Sequence, residues 1–68
     1  MAKFRVGRDC ILDYGKTGIL KKVVKQKYKD GTHEWFAIVE ILDQAWDGEN
    51  YVTCQFDMRI LKERVAMV

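Results

Sequence analysis

The chain contains no proline, only two cysteines and a single histidine among its 68 residues, and each scarcity removes a class of protein. Without proline there is no polyproline or collagen-like segment and no proline-rich linker. Cys10, Cys54 and His33 are too few and too scattered for a tetrahedral zinc site, whose ligands usually come in pairs two to five residues apart. No metal or other cofactor is therefore expected. The two cysteines lack the density of a disulfide framework and are expected as reduced, small apolar residues. The first residues, Met-Ala-Lys-Phe-Arg-Val-Gly-Arg-Asp, carry charge where a secretory leader would be apolar, and no apolar run approaches membrane-spanning length. A cytoplasmic protein is expected. Helix signals are equally sparse, and what remains is rich in Val, Ile, Tyr, Phe, Trp and Thr with five isolated glycines.

That composition describes strands separated by turns, and residues 1–68 are long enough for one thin-cored domain that association often helps to hold together. Residues 4–6 and 10–14 read as short extended pieces, and Gly15-Lys16-Thr17-Gly18 as a tight turn. Asp30-Gly31 between β-rich runs signals a two-residue type I′ hairpin. This register pairs Lys29 with Thr32, Lys27 with Glu34, Lys25 with Phe36, Val23 with Ile38 and Lys21 with Glu40 on one side of the ribbon. The other side carries Leu20, Val24, Trp35, Ala37, Val39 and Ile41, with Lys22 as its one misfit, and is the better core face. A bulge would shift that register. Residues 42–50 read as a polar, acidic loop around Trp46. Residues 51–57 alternate as a half-buried strand with Val52, Cys54 and Phe56 on one side, and a short helical turn is expected near residues 58–61.

The run Val6-Gly7-Arg8-Asp9-Cys10-Ile11-Leu12-Asp13-Tyr14-Gly15-Lys16-Thr17-Gly18-Ile19-Leu20 resembles the opening of SH3-like barrels of the KOW and Tudor type. Those begin with a Gly-Asp-like turn, a short apolar strand and a glycine-punctuated loop leading into a long strand. Here Arg8 stands between Gly7 and Asp9. The resemblance implies an all-β, five-stranded SH3-like barrel and binding of RNA, DNA, ribosomes or modified peptides. It also implies that Tyr14, Trp46 and Tyr51 lie where an aromatic cage assembles in Tudor-like members. A few such barrels are enzymes, as in type II dihydrofolate reductases, but the nearest stretch here, Val52-Thr53-Cys54-Gln55-Phe56, does not match their motif.

Charge is strongly segregated. Residues 16–29 hold six lysines and no acid, whereas residues 30–57 hold seven acids and no Lys or Arg. Lysines beside aromatics suit nucleic acid, because they release phosphate counterions while rings stack on bases. The hairpin register answers two of them internally, with Lys21 opposite Glu40 and Lys27 opposite Glu34, and cross-strand pairs of this kind contribute up to roughly 1 kcal/mol each. Those left for an RNA or DNA contact are Lys16, Lys22, Lys25 and Lys29, with Arg5 and Arg8. Trp46 among Asp43, Asp47 and Glu49 reads either as a ring folded over an open barrel end or as an anchor for a basic protein surface, with Tyr14 and Tyr51 alongside. Val23, Phe36 and Ile38 form a candidate outward apolar stripe, hence a candidate homodimer interface. His33 has no nucleophile or acid at a telling spacing, and no catalytic constellation is present. The sequence thus points to a non-enzymatic binding module, an accessory or inhibitory factor acting through protein–protein contacts or self-association, with nucleic-acid binding as the alternative.

Overall fold

A computed structural model of the chain describes residues 3–68. It is all-β: β1 (Asp9–Leu12), β2 (Thr17–Lys27), β3 (His33–Trp46), β4 (Tyr51–Leu61) and β5 (Val65–Met67), with one 3₁₀ turn at Lys62–Arg64. All pairings are antiparallel and the order in the single sheet is β4-β3-β2-β1-β5. The meander returns its last strand beside the first, but β4 and β5 remain opposite edges, so the expected closure into a barrel is not made.

Local chemistry explains the turns. Tyr28 N–H donates to the Thr32 carbonyl at 2.9 Å and Gly31 N–H to the Tyr28 carbonyl at 3.1 Å, giving a three-residue loop in place of the two-residue turn. A type I′ turn needs positive φ at both central residues, whereas here only Gly31 adopts it, at +90°. Asp30 keeps a negative φ because its Oδ1 accepts from the Thr32 backbone N–H at 3.0 Å and the Thr32 hydroxyl at 2.6 Å. The loop after β1 repeats the arrangement, with Leu12 N–H on the Lys16 carbonyl and Gly15 N–H on the Leu12 carbonyl.

The extra loop residue shifts the register, which becomes Lys27 with His33, Lys25 with Trp35 and Val23 with Ala37. A bulge at Lys21 then shifts it again, so that Leu20 faces Val39 and Ile19 faces Glu40. That bulge resolves the misfit of Lys22: Leu20 and Val23 both point to the inner face, while Lys22 pairs with Ile38 on the outer face. Val23 accordingly packs against the core and does not share an outward stripe with Phe36 and Ile38. Gln26, not Lys27, stands opposite Glu34.

The inner face buries Cys10, Leu12, Leu20, Ala37, Val39, Ile41, Ile60 and Val65, flanked by Phe4, Val23, Met58 and Met67. Three expectations from sequence are corrected. Residues 42–46 are the outer half of β3, held by pairs from Leu42 with Gln55 to Trp46 with Tyr51, and not a loop. Residues 58–61 continue β4, since Met58 and Ile60 alternate inward opposite Val39 and Ala37, and the helical turn follows one step later at Lys62–Arg64. Residues 4–6 form no strand; the chain there is tied to β2 by Gly7 N–H on the Leu20 carbonyl and Leu20 N–H on the Arg8 carbonyl.

The core ends at Ile41, yet β3 and β4 continue. Every residue from 42 to 57 is exposed, and these residues form a two-stranded arm. The molecule extends 51 × 29 × 19 Å with a radius of gyration of 14.4 Å, against about 11 Å for a compact chain of this length.

Candidate functional site

The arm is the most unusual surface, because an isolated two-stranded hairpin is marginal in water and usually needs a third strand or a packed face. Its tip is well made. Asp47 Oδ1 accepts from Glu49 N–H at 2.8 Å and Asn50 N–H at 2.7 Å, and Asp47 N–H donates to the Asn50 carbonyl at 3.0 Å. Those two N–H groups hold the Asp47 carboxyl below its usual range. Trp46 and Tyr51 then meet edge to face across the strands, centroids 5.2 Å apart.

Alternation divides the arm's apolar residues between both faces. Leu42, Trp46 and Tyr51 lie on the outer face, Val52, Cys54 and Phe56 on the inner one. Trp46 remains 59% and Tyr51 70% exposed despite their mutual contact. Asp43, Asp47, Glu49 and Asp57 give the arm four acids and no Lys or Arg. At its base Lys16 Nζ lies 3.1 Å from Asp43 Oδ1, and this contact lowers the Asp43 pKa. The Tyr14 hydroxyl donates to Met58 Sδ at 3.6 Å.

These positions sort the residues singled out from sequence. Trp46, Tyr51, Asp47 and Glu49 converge at the arm tip, and Asp43 stands nearer the base. Tyr14 is elsewhere: Met58, which it touches, is seven residues along β4 from Tyr51, about 23 Å at strand rise. Tyr14, Trp46 and Tyr51 therefore do not enclose one space. Sequence reading missed Leu42 and took Val52 and Phe56 for half-buried residues. Period-two alternation reports which side a residue faces but not whether anything covers that side.

The opposite end of the molecule is basic. Lys25 Nζ and Lys62 Nζ each lie 5.7 Å from the Trp35 ring, and Lys62 also lies 4.7 Å from the Phe4 ring. An open groove of about 480 Å³ runs here along Phe4, His33, Trp35 and Lys62, with Glu34 and Glu63 on its walls. Trp35, expected in the core, is 45% exposed and stands opposite Lys25 on β2. On the outer face Arg59 stacks over Phe36 at 4.1 Å and donates to Gln26 Oε1 at 3.2 Å.

The basic residues considered for nucleic acid do not share a face. Lys16 is paired at the arm base, Lys22 and Lys25 point to opposite sides of β2, and Lys29 sits in the hairpin loop. Arg5 and Arg8 line a separate groove beside Met67 and Val68. Lys21, at the bulge, reaches Glu40 Oε2 at 3.0 Å, a contact that raises the Lys21 pKa and lowers that of Glu40. Arg64 grips Asp13 through two N–H donors at 2.6 and 3.2 Å, lowering the Asp13 pKa.

Both cysteines are free, Cys10 buried and Cys54 exposed, and burial raises the Cys10 pKa. Among the described residues no three His, Cys, Asp or Glu side chains gather in a metal-binding group, and no helix is long and apolar enough to cross a membrane. Comparison with protein-family descriptions, with curated proteins and with solved structures finds no match to this chain.

Proposed function

We propose that the chain is a small non-enzymatic binding module, an accessory or inhibitory factor that works through protein–protein contacts made by the arm at residues 42–57. One observation carries the reading: a two-stranded ribbon exposes Leu42, Trp46, Tyr51, Val52 and Phe56, an apolar set that a solitary soluble domain seldom leaves bare. The simpler account is that Trp46 and Tyr51 form only a cross-strand clasp, worth about 0.5–1.5 kcal/mol. A clasp explains their mutual contact but neither their residual exposure nor the apolar residues on the other face. Four acids and no base on the arm favour a partner with a basic surface, whose cations can rest against the indole and phenol rings. In this reading the body is an opened SH3-like barrel that serves as the rigid mount, and the two unpaired thiols suit the cytoplasm.

The experiment is retention of a basic protein surface by wild type and by Trp46→Ala. Wild type retains it in a salt-sensitive manner and the variant loses retention while keeping its far-UV spectrum. Equal retention by a folded variant would refute the arm tip as the contact.

A second reading, RNA or DNA binding, is favoured by a different observation: Lys25 and Lys62 flank the half-exposed Trp35 ring, a pairing of cations with a stacking platform that suits single-stranded nucleic acid. Glu34 and Glu63 in the same groove weigh against it.

A further inference from the structure

The β3–β4 ladder runs unbroken from Phe36 with Leu61 to Trp46 with Tyr51. At its tip Asp47 N–H points to the Asn50 carbonyl. Antiparallel strands alternate between pairs whose backbone groups face each other and pairs whose groups face away. Counting from Asp47 and Asn50, the N–H and C=O groups of Val52, Cys54, Phe56, Met58 and Ile60 point at β3. Those of Tyr51, Thr53, Gln55, Asp57, Arg59 and Leu61 point away, along an edge that no strand among the described residues covers.

Proteins usually blunt such edges with proline, bulges, lysines or brevity. β4 has none of these: it is 11 residues long, carries no Pro or Lys, keeps an unbroken register with β3, and its only charges, Asp57 and Arg59, cancel. The other edge, β5, is 3 residues long.

Deepening the reading of this chain as a module of protein–protein contacts, and resting on it, we infer that β4 pairs edge to edge with β4 of a second copy, antiparallel and two-fold about Phe56. The β4 sequence is self-complementary in that register. On the inner face Phe56 meets Phe56, Cys54 meets Met58 and Val52 meets Ile60 of the second copy. On the outer face Tyr51 meets Leu61, Thr53 meets Arg59 and Gln55 meets Asp57 of the second copy. No like charges stand directly opposite, and cross-strand apolar pairs of this kind stabilise a ladder.

The extent of pairing selects this register over its neighbours. It engages all 11 residues of β4, so the two-stranded arm gains a third and fourth strand along its whole length, the condition under which a ribbon is stable. Centring on Met58 would set Asp57 against Arg59 but would leave the outer half of the arm unpaired.

Light scattering of the full chain over a wide range of concentration is the first test. The expected mass is twice 8.0 kDa. Gln55→Pro removes a donor that faces away from β3, so it leaves the β3–β4 ladder intact and should yield a folded monomer. A nitroxide on Cys54, the exposed thiol, supplies a reading that does not depend on the variant's folding. Centred on Phe56, the two labelled backbones lie four residues apart along the strands, about 14 Å. Centring on Met58 gives about 27 Å, and centring on Cys54 about 5 Å. A wild type monomeric at every concentration overturns the inference, as does a dimer that survives in a folded Gln55→Pro protein or a dipolar spacing far from about 14 Å. A monomeric wild type that still retains a basic surface through Trp46 would remove the β4 pairing and leave the proposed function standing.

Discussion

Gly18→Ala tests how tightly β2 is seated on the core. A Cβ built on Gly18 would lie 2.5 Å from Val39 Cγ1, 2.8 Å from the Glu40 carbonyl oxygen and 3.5 Å from Ile41 Cγ1. Neither of the first two can give way cheaply. Val39 is fully buried, and the Glu40 carbonyl belongs to the central strand at the point where Ile19 pairs with it. Overpacking of this kind costs about 1–3 kcal/mol, offset by about 0.4–1 kcal/mol from the reduced freedom of the unfolded chain. The net loss is about 1–2 kcal/mol, a large part of the roughly 3–5 kcal/mol that a core this small supplies. Tm should fall by roughly 5–15 °C. Urea unfolding followed by far-UV dichroism measures the loss. A double-mutant cycle with Val39→Ala assigns it, because removing Cγ1 relieves the closest contact and should make the double variant more stable than the two single losses added together. A Gly18→Ala protein as stable as wild type, or a cycle without coupling, would refute the close approach of β2 to β3.

Acid should lower the protein's stability over a window set by its engaged carboxylates. Arg64 lowers the pKa of Asp13, Thr32 that of Asp30, Lys21 that of Glu40, Lys16 that of Asp43 and the Asn50 N–H that of Asp47. Lowered carboxylates contribute fully above their ordinary values, near 3.8 for Asp and 4.5 for Glu, and the contribution is lost as pH falls through the lowered ones. The carboxylate contribution to the urea midpoint should therefore hold from pH 7 to about 5 and fall below about 4, and a midpoint that stays level below pH 4 would contradict these contacts. For the nucleic-acid reading, single-stranded oligonucleotide should be retained at low salt, and replacing Lys25 and Lys62, the two lysines beside the Trp35 ring, by Ala should flatten the salt dependence. Wild type that shows no retention at low salt ends that reading.

The all-β class, the hairpin site and much of the core were legible from residue types alone. Leu20, Ala37, Val39 and Ile41 alternate as an inner face requires, and the core contains them. Loop geometry was not legible, because Asp-Gly serves both a two-residue turn and the last two positions of a three-residue loop. The choice depended on the Asp30 side chain accepting from Thr32. The bulge was hidden as well, although Lys22 on an otherwise apolar face was its trace: a single misfit between Leu20 and Val23 is what one extra residue at Lys21 repairs. Asp47-Gly48 repeats the dipeptide of Asp30-Gly31, with strand-forming residues on both sides, and could have been read as a second hairpin tip. The acidic residues around it suggested a loop instead, and with the loop the arm was lost.

The charge segregation acquires a different meaning once the arm is in place. Lysine-rich β2 lies beside β3 only as far as Glu40, so the outer half of β3 has no basic neighbour except Lys16 at its base. Residues 42–57 carry four acids and no base, and the rest of the chain carries twelve bases and six acids. The +2 net charge is thus a body of +6 and an arm of −4 on a molecule 51 Å long. At physiological salt the screening length is about 8 Å, so a partner at either end meets that end's charge and not the small net value. The same polarity bears on self-association. Two copies set side by side in parallel would bring arm to arm and body to body, like charge against like. Antiparallel copies bring each acidic arm to the other's basic body, the arrangement that two-fold pairing through β4 imposes.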